Sequence, residues 1–261
     1  MEPIIRVDRA SMAYRTRKGI TEALRNLSLD IHAHEILCIV GSSGCGKSTL
    51  LNLIAGFVQP TRGTIYLKGQ RVSGIEPRCG MIFQEYALFP WLTVRSNVEF
   101  GMSLRGTDKA ERRRVTDEYL KLVSLESFAD AYPSELSGGM RQRVAIARVL
   151  ANDPEVLLMD EPLAALDAMT RQILQDELLR IVEASGKTVI FVTHSIDEAL
   201  ILSDRIAVFS SRPGRLKMLI ENDLPRPRKA EIQLSPQFLA LKTEIWHAVQ
   251  EEVLAHLEAR A

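Results

Sequence analysis

The stretch Gly41-Ser42-Ser43-Gly44-Cys45-Gly46-Lys47-Ser48 matches the spacing GxxxxGK[ST] and follows the apolar run Ile36-Leu37-Cys38-Ile39-Val40 without a gap. That order predicts a strand, a phosphate-binding loop and a helix. The glycines let the chain curl until successive N–H groups point at one centre, in backbone conformations that a Cβ would obstruct. A helix from Lys47 through Thr49 and Leu50 to Ala55, stopped at Gly56, turns its positive dipole end toward the same centre. Lys47 is then expected to reach the β- and γ-phosphates of a nucleotide, and the Ser48 hydroxyl a Mg²⁺ ion.

Such a loop is shared by many phosphoryl-transfer proteins, so the other polar residues at strand ends must narrow the chemistry. Val156-Leu157-Leu158-Met159 reads as a strand buried on both faces, and it delivers Asp160 and Glu161 at its carboxyl end. Asp160 is placed to hold Mg²⁺, and Glu161 to orient and deprotonate an attacking water. Gln84 follows a second short strand, Gly80 to Phe83. Its uncharged amide can touch Mg²⁺ and water without repelling phosphate. His194 follows the apolar run Thr188 to Thr193, and Ser195 to Glu198 has the form of a capping box that starts the next helix.

Leu136-Ser137-Gly138-Gly139-Met140 opens a helical stretch from Arg141 to Arg148. A serine and two glycines at a helix start form a further anion-binding N-terminus. One phosphate chain does not need two such cradles from the same subunit. A head-to-tail dimer, in which Ser137, Gly138 and Gly139 cover the nucleotide of a second copy, uses both and gives two composite sites.

Together these motifs resemble the ATP-binding-cassette ATPases, over about residues 4 to 220. In that resemblance Gly41, Ser42, Ser43, Gly44, Cys45, Gly46, Lys47, Ser48 and Thr49 form the Walker A loop that binds ATP. Val156 to Pro162 resemble Walker B, with Asp160 toward the metal and Glu161 catalytic. Gln84 resembles the Q-loop residue, Leu136 to Met140 the family signature, Ala165-Leu166-Asp167 the D-loop and His194 the switch histidine. Tyr14 resembles the aromatic that stacks on adenine. Met140 stands where many members carry Gln, which removes a polar contact at that position. The implied fold is α/β: a P-loop NTPase (RecA-like) core with an antiparallel β layer and an inserted helical lobe. Glu161, His194 and Gln84 are the implied catalytic residues, and Ser48, Gln84 and Asp160 the implied Mg²⁺ ligands.

Finer motifs are similar to one branch of the family, the importers of nitrate, sulfonates, taurine and related small anions. They are Gln84 to Val94, the Leu-Ser-Gly-Gly-Met form, Ser210-Ser-Arg-Pro-Gly-Arg215 and Asp223-Leu-Pro-Arg-Pro-Arg228. This resemblance implies an integral-membrane permease as partner, a second copy of the chain as homodimer mate, and an extracytoplasmic solute-binding protein indirectly. It implies a peripheral position at the cytoplasmic face of the inner membrane. An exporter ATPase and a soluble mechanochemical ATPase are the alternatives. The single cassette and the lack of sustained heptads count against the latter.

Composition is compatible with this. The chain has 261 residues, 46% of them hydrophobic, and Lys+Arg equal Asp+Glu at 33 each, so no global field draws it to nucleic acid. No apolar run reaches the roughly 18 residues that span a bilayer, and Met1 to Arg6 lack a signal-peptide pattern, so membrane attachment is expected through a partner. The cysteines are Cys38, Cys45 and Cys79, without a CxxC pair, which favours a reducing compartment. Cys45, inside the loop beside Lys47, is expected to carry a depressed pKa and to be the most reactive thiol.

Pattern changes divide the chain. Leu27 to Ile31 and Gly63 to Leu67 read as antiparallel strands, 86 to 150 as an inserted helical lobe, and Asp167 to Ser185 as a long helix stopped by Gly186. One ATPase domain is expected over 4–223. It is followed by a proline-rich segment and a final helix, 224–261, with Leu241, Ile245, Val249, Val253 and Leu257 on its apolar face. Phe89 to Leu92 suit either local core or the groove that receives a permease helix. The basic cluster Arg112 to Arg114, flanked by acids, reads as a solvated helix face.

Overall fold

The computed structural model describes residues 2–16, 19–164 and 168–258. These fall into two compact units, one holding 1–77 with 187–261 and the other 78–186. In the first, β1 (Ile5–Thr16) pairs antiparallel with β2 (Gly19–Ile31). After β3 (Ile36–Val40) and α1 (Lys47–Ile54) come β4 (Arg62–Leu67) and the short β5 (Gln70–Arg71), completing an antiparallel sheet in the order β2-β1-β4-β5. Along β2, Leu27, Leu29 and Ile31 are buried while Ser28 and Asp30 face solvent, the alternation expected of a strand wet on one side.

The second unit carries β6 (Cys79–Ile82), α2 (Val94–Leu104), α3 (Lys109–Leu122), α4 (Gly138–Leu150), β7 (Val156–Asp160) and α5 (Ala168–Ser185). β6 and β7 pair in parallel, Ile82 opposite Met159. The strand expected at 80–83 is shifted by one residue, and Phe83 lies beyond it, 39% exposed. α3 is capped by Asp108, whose carboxylate accepts the Ala110 N–H at 2.8 Å. Arg114 on this helix pairs with Glu111 and Glu118, as expected of a solvated charged face.

The chain returns to the first unit with β8 (Thr188–Thr193), α6 (Ile196–Leu202), β9 (Arg205–Phe209), β10 (Leu216–Glu221) and α7 (Pro236–Glu258). β3 lies between β8 and β9, parallel to both, and β10 adds antiparallel at the edge. Every residue of β3 and β8 is buried, which explains their unbroken apolar runs. Among the described residues no helix is long and apolar enough to cross a membrane.

Two helix ends show local sequence acting directly. α1 stops at Gly56, φ +73°, where the Phe57 N–H returns to the Asn52 carbonyl and the Gly56 N–H to that of Leu53. This is a Schellman ending, and it needs a residue that adopts φ > 0 at little cost. At α6 the orphan carbonyls of Leu200 and Ser203 are taken by Arg228, a buried guanidinium that also donates to the Leu224 and Asn222 carbonyls. The proline-rich segment is therefore tied down by an arginine rather than by regular structure. Burial lowers the pKa of this group. On α7 the buried face is formed by Phe238, Ile245 and Ala248; Phe238 and Ala248 escaped the expected apolar set, Leu241 and Val249 are half-buried, and Val253 and Leu257 lie outside the side chains described.

Candidate functional site

In the first unit the loop Gly41 to Gly46 leaves the buried end of β3 and runs straight into α1. Gly46 holds φ +101°, and a Cβ there would stand 2.7 Å from the Ala23 carbonyl oxygen and from Leu24 Cδ2. Both backbone and packing thus demand glycine. Lys47 is only 5% exposed; its ammonium donates to the Gly41 and Ser42 carbonyls at 2.9 and 3.2 Å. The loop therefore curls around its own lysine. Ser43, Gly44 and Ser48 are exposed, and Ser42 and Thr49 partly so. No acidic residue occupies the first turn of α1, so nothing there neutralises its dipole.

Cys45 corrects the expectation of a reactive thiol. Its side chain is buried, 1% exposed, and its sulfur fills the space beneath Gly41, 2.9 Å from where a Cβ on that glycine would sit. The thiol points under the loop because Gly41 leaves room there, while Lys47 faces the loop carbonyls. It is a small packing group. Cys38 is buried too, and burial raises its thiol far above the usual range.

His194 follows the last residue of β8, and Thr193 pairs with Val40 of β3 in parallel register. Hence Gly41 and His194 leave neighbouring strands at the same edge. His194 is exposed, and the turn carrying it is tightly specified. The Thr193 hydroxyl donates to Glu198 at 2.5 Å and accepts the Ser195 N–H at 3.0 Å. Ser195 Oγ accepts the Glu198 N–H at 3.3 Å. Half of the expected capping box is present, Ser195 capping the Glu198 N–H, while the Ser195 N–H goes to Thr193 instead of to the Glu198 carboxylate. Tyr14 sits on β1 opposite Thr21, partly exposed.

In the second unit the same logic repeats. Ile82 pairs with Met159, so Gln84 and the pair Asp160 and Glu161 emerge from one edge of β6 and β7. Gln84 is exposed; Asp160 and Glu161 are partly exposed. Glu161 has φ +46°, a left-handed conformation that is uncommon outside glycine and costs of order 1–2 kcal/mol. Ser137 caps α4, its Oγ accepting the Met140 N–H at 3.3 Å, and the first turn again lacks an acid. Ser137 is exposed and Gly139 buried. Asp167 lies outside the described residues.

Sequence reasoning missed how Gln84 is supported. Tyr86 and Ala87 both have φ > 0, and Arg148 of α4 donates to their carbonyls at 3.1 and 2.6 Å. Arg148 also lies over the Phe89 ring, and Arg141 over that of Tyr86. Desolvation lowers the pKa of Arg148. Arg141 and Arg148 are seven apart, two helical turns on one face, and that spacing was the available signal. Trp91 is 70% exposed, against the local-core reading, while Phe89 packs on Phe100 at 4.4 Å.

A family model for ABC transporters matches residues 24–164, more than half of the chain. The chain belongs to the ABC transporter family, as an ATPase. An uncharacterised ABC transporter ATP-binding protein of Methanocaldococcus jannaschii is 48% identical over 99% of this chain and 96% of its own. A nitrate import ATP-binding protein of Synechocystis is 46% identical over 88% of each chain. A taurine import ATP-binding protein of Roseobacter denitrificans is 42% identical over 98% of each. Among solved structures, the dimeric post-hydrolysis state of an ATP-binding cassette bound to ADP and Pi matches 83% of this ABC ATPase and 98% of its own chain. Its TM-score is 0.72 at 35% identity. The expected P-loop α/β class is thereby established for this ABC ATPase.

Proposed function

We propose that this ATPase is the energising subunit of an importer for a small anion of the nitrate, taurine or sulfonate kind, working as a homodimer on a membrane permease. The observation that carries the ATP-dependent part is a pair of helix starts, α1 and α4, each preceded or begun by glycine and each without an acid in its first turn. Both are built to receive negative charge. The anion class is supported by the nitrate and taurine importers among the relatives.

In this reading Gly41 to Thr49 of one copy hold the phosphates, Tyr14 stacks on adenine, and Ser137, Gly138, Gly139 and Asp167 of the second copy close over the nucleotide. Binding energy drives closure. Glu161 takes the proton from water attacking the γ-phosphate, while His194 and Gln84 hold the reacting groups in register. Ser48, Gln84 and Asp160 offer hydroxyl, amide and carboxylate oxygens, the hard donors that suit Mg²⁺, which when bound neutralises charge on the β- and γ-phosphates. The subunit then sits at the cytoplasmic face of the inner membrane, and the solute reaches the permease from an extracytoplasmic binding protein.

The test is reconstitution in proteoliposomes with a candidate permease and its binding protein. Hydrolysis should rise when the binding protein carries nitrate, taurine or an alkanesulfonate; stimulation by none of them would remove the anion reading. Trp91 supplies a second expectation. Its ring leans on Phe89, centroids 5.7 Å apart, and presents its outer face to solvent, the arrangement of an interface anchor. Trp91→Ala should reduce permease-stimulated hydrolysis about tenfold or more while basal hydrolysis persists. Equal loss of both would return Trp91 to a structural role.

A further inference from the structure

The turn between β9 and β10, Ser210 to Arg215, plays no part in the chemistry above, yet it lies directly against the phosphate loop. It is closed on itself: the Ser210 N–H donates to the Arg215 carbonyl, and the Arg215 N–H to Ser210 Oγ, both at 3.0 Å. From its middle, Arg212 Nε donates to the Gly44 carbonyl at 3.2 Å, and its Nη2 lies 3.0 Å from where a Cβ on Gly44 would be. Gly214 is pinned beside the loop, its N–H on the Ala23 carbonyl at 2.9 Å and its carbonyl on the Arg25 N–H at 3.0 Å. A Cβ on Gly214 would collide with the Cys45 carbonyl.

The far side of the turn is held by α7. Ser211 N–H donates to the Glu252 carboxylate at 3.0 Å, and the Ser211 hydroxyl donates to the Glu252 carbonyl at 2.7 Å. Lys217 on β10 pairs with the same carboxylate at 3.0 Å. α7 also reaches the helix that follows His194, through Lys242 and Asp197 at 2.7 Å. Direct contacts thus run from the C-terminal helix through the turn to Gly44.

We propose that Arg212 is a positioning residue of the nucleotide site, and that Ser210 to Arg215 act as a strap by which α7 sets the conformation of the phosphate loop. This rests on reading Gly41 to Ser48 as the phosphate-binding loop. Gly44 holds φ +76° and has no side chain of its own to fix it. Lys47 holds the loop at the Gly41 and Ser42 carbonyls, whereas the Gly44 carbonyl takes the Arg212 donor from outside the loop. This charge-assisted hydrogen bond, beside the packing of Gly214, orders that part of the loop before the nucleotide arrives. Without the strap the nucleotide must order the loop itself, and affinity falls while the chemical step is spared.

The experiment titrates a fluorescent ATP analogue and ADP against the full chain and measures kcat and KM. Loss of one charge-assisted hydrogen bond predicts that Arg212→Ala raises Kd about tenfold, with KM following and kcat falling far less. Arg212→Lys, which can still donate to one carbonyl, should recover part of the affinity. Glu252→Ala should weaken binding in the same direction, and Glu252→Gln, which keeps an acceptor for the Ser211 N–H, should weaken it less. Circular dichroism and thermal melting accompany each variant; if Arg212→Ala fails to fold, Arg212→Lys and the Glu252 pair give the answer. Unchanged Kd in the folded variants overturns the strap, as does a Kd that rises equally with Lys or Ala at position 212. Lys47→Ala in the same titration separates the two readings. If it too binds normally, the loop reading fails and not merely the strap.

Discussion

Glu161→Gln should abolish steady-state ATP hydrolysis while leaving ATP binding intact, and the variant should accumulate as a closed dimer in the presence of ATP. Glutamine keeps the volume and the left-handed backbone at φ +46° but cannot accept the water's proton. General-base catalysis contributes roughly 10²–10⁴-fold, so the residual rate should fall by at least the lower figure. Hydrolysis measured alongside ATP-dependent dimerisation by size-exclusion chromatography reads both effects. Turnover near the wild-type rate would take Glu161 out of the mechanism, and lost ATP binding would recast it as a ligand.

Lys47→Ala and Ser137→Arg should fail in different ways. Removing the buried Lys47 ammonium leaves the Gly41 and Ser42 carbonyls without that donor and strips the loop of its cation. Stranded polar groups and a missing charge-assisted contact together amount to about 3 kcal/mol, or over a hundredfold in nucleotide affinity. Ser137 by contrast is exposed, so an arginine fits without disturbing the core. It loses a helix cap worth about 1 kcal/mol and adds a cation at a helix N-terminus, both tolerable to the fold. Nucleotide binding by the isolated chain should be unchanged, and ATP-dependent dimerisation lost. Ser137→Ala removes the hydroxyl without adding bulk or charge, so it should weaken ATP-dependent dimerisation rather than abolish it. Were Ser137→Arg to prevent ATP binding by the monomer, closure in trans would be the wrong model.

The elements that carry the chemistry were legible because each is written locally. An apolar run followed by a glycine loop and Lys-Ser specifies β3, the loop and α1; Ser137 and Asp108 announce the helices they cap; Gly56 and Gly186, both at φ > 0, stop theirs. Strand boundaries moved where pairing overrides hydropathy: β6 begins at Cys79, opposite Val156, β4 at Arg62, opposite Ser11, and β2, expected from Leu27, begins at Gly19 because β1 pairs along it as far as Thr16. The thiol of Cys45 was misread for a different reason. Its position beside Lys47 is sequence information, but its direction depends on the cavity under Gly41, which exists only once Phe209 of a distant strand is in place.

By itself, then, the sequence determined which residues can make a phosphate cradle, a strand-end carboxylate and a capped second helix, since those depend on backbone conformations and caps spanning a few residues. Only tertiary structure decided who supports them. Val40 beside Thr193 brings the loop and His194 to one edge. Arg148 holds the backbone after Gln84, and Arg212 reaches Gly44 from 168 positions away. Such partners share no local pattern: a carbonyl accepts a guanidinium from any part of the chain, and which arginine arrives is fixed by how strands and helices pack rather than by spacing along the sequence.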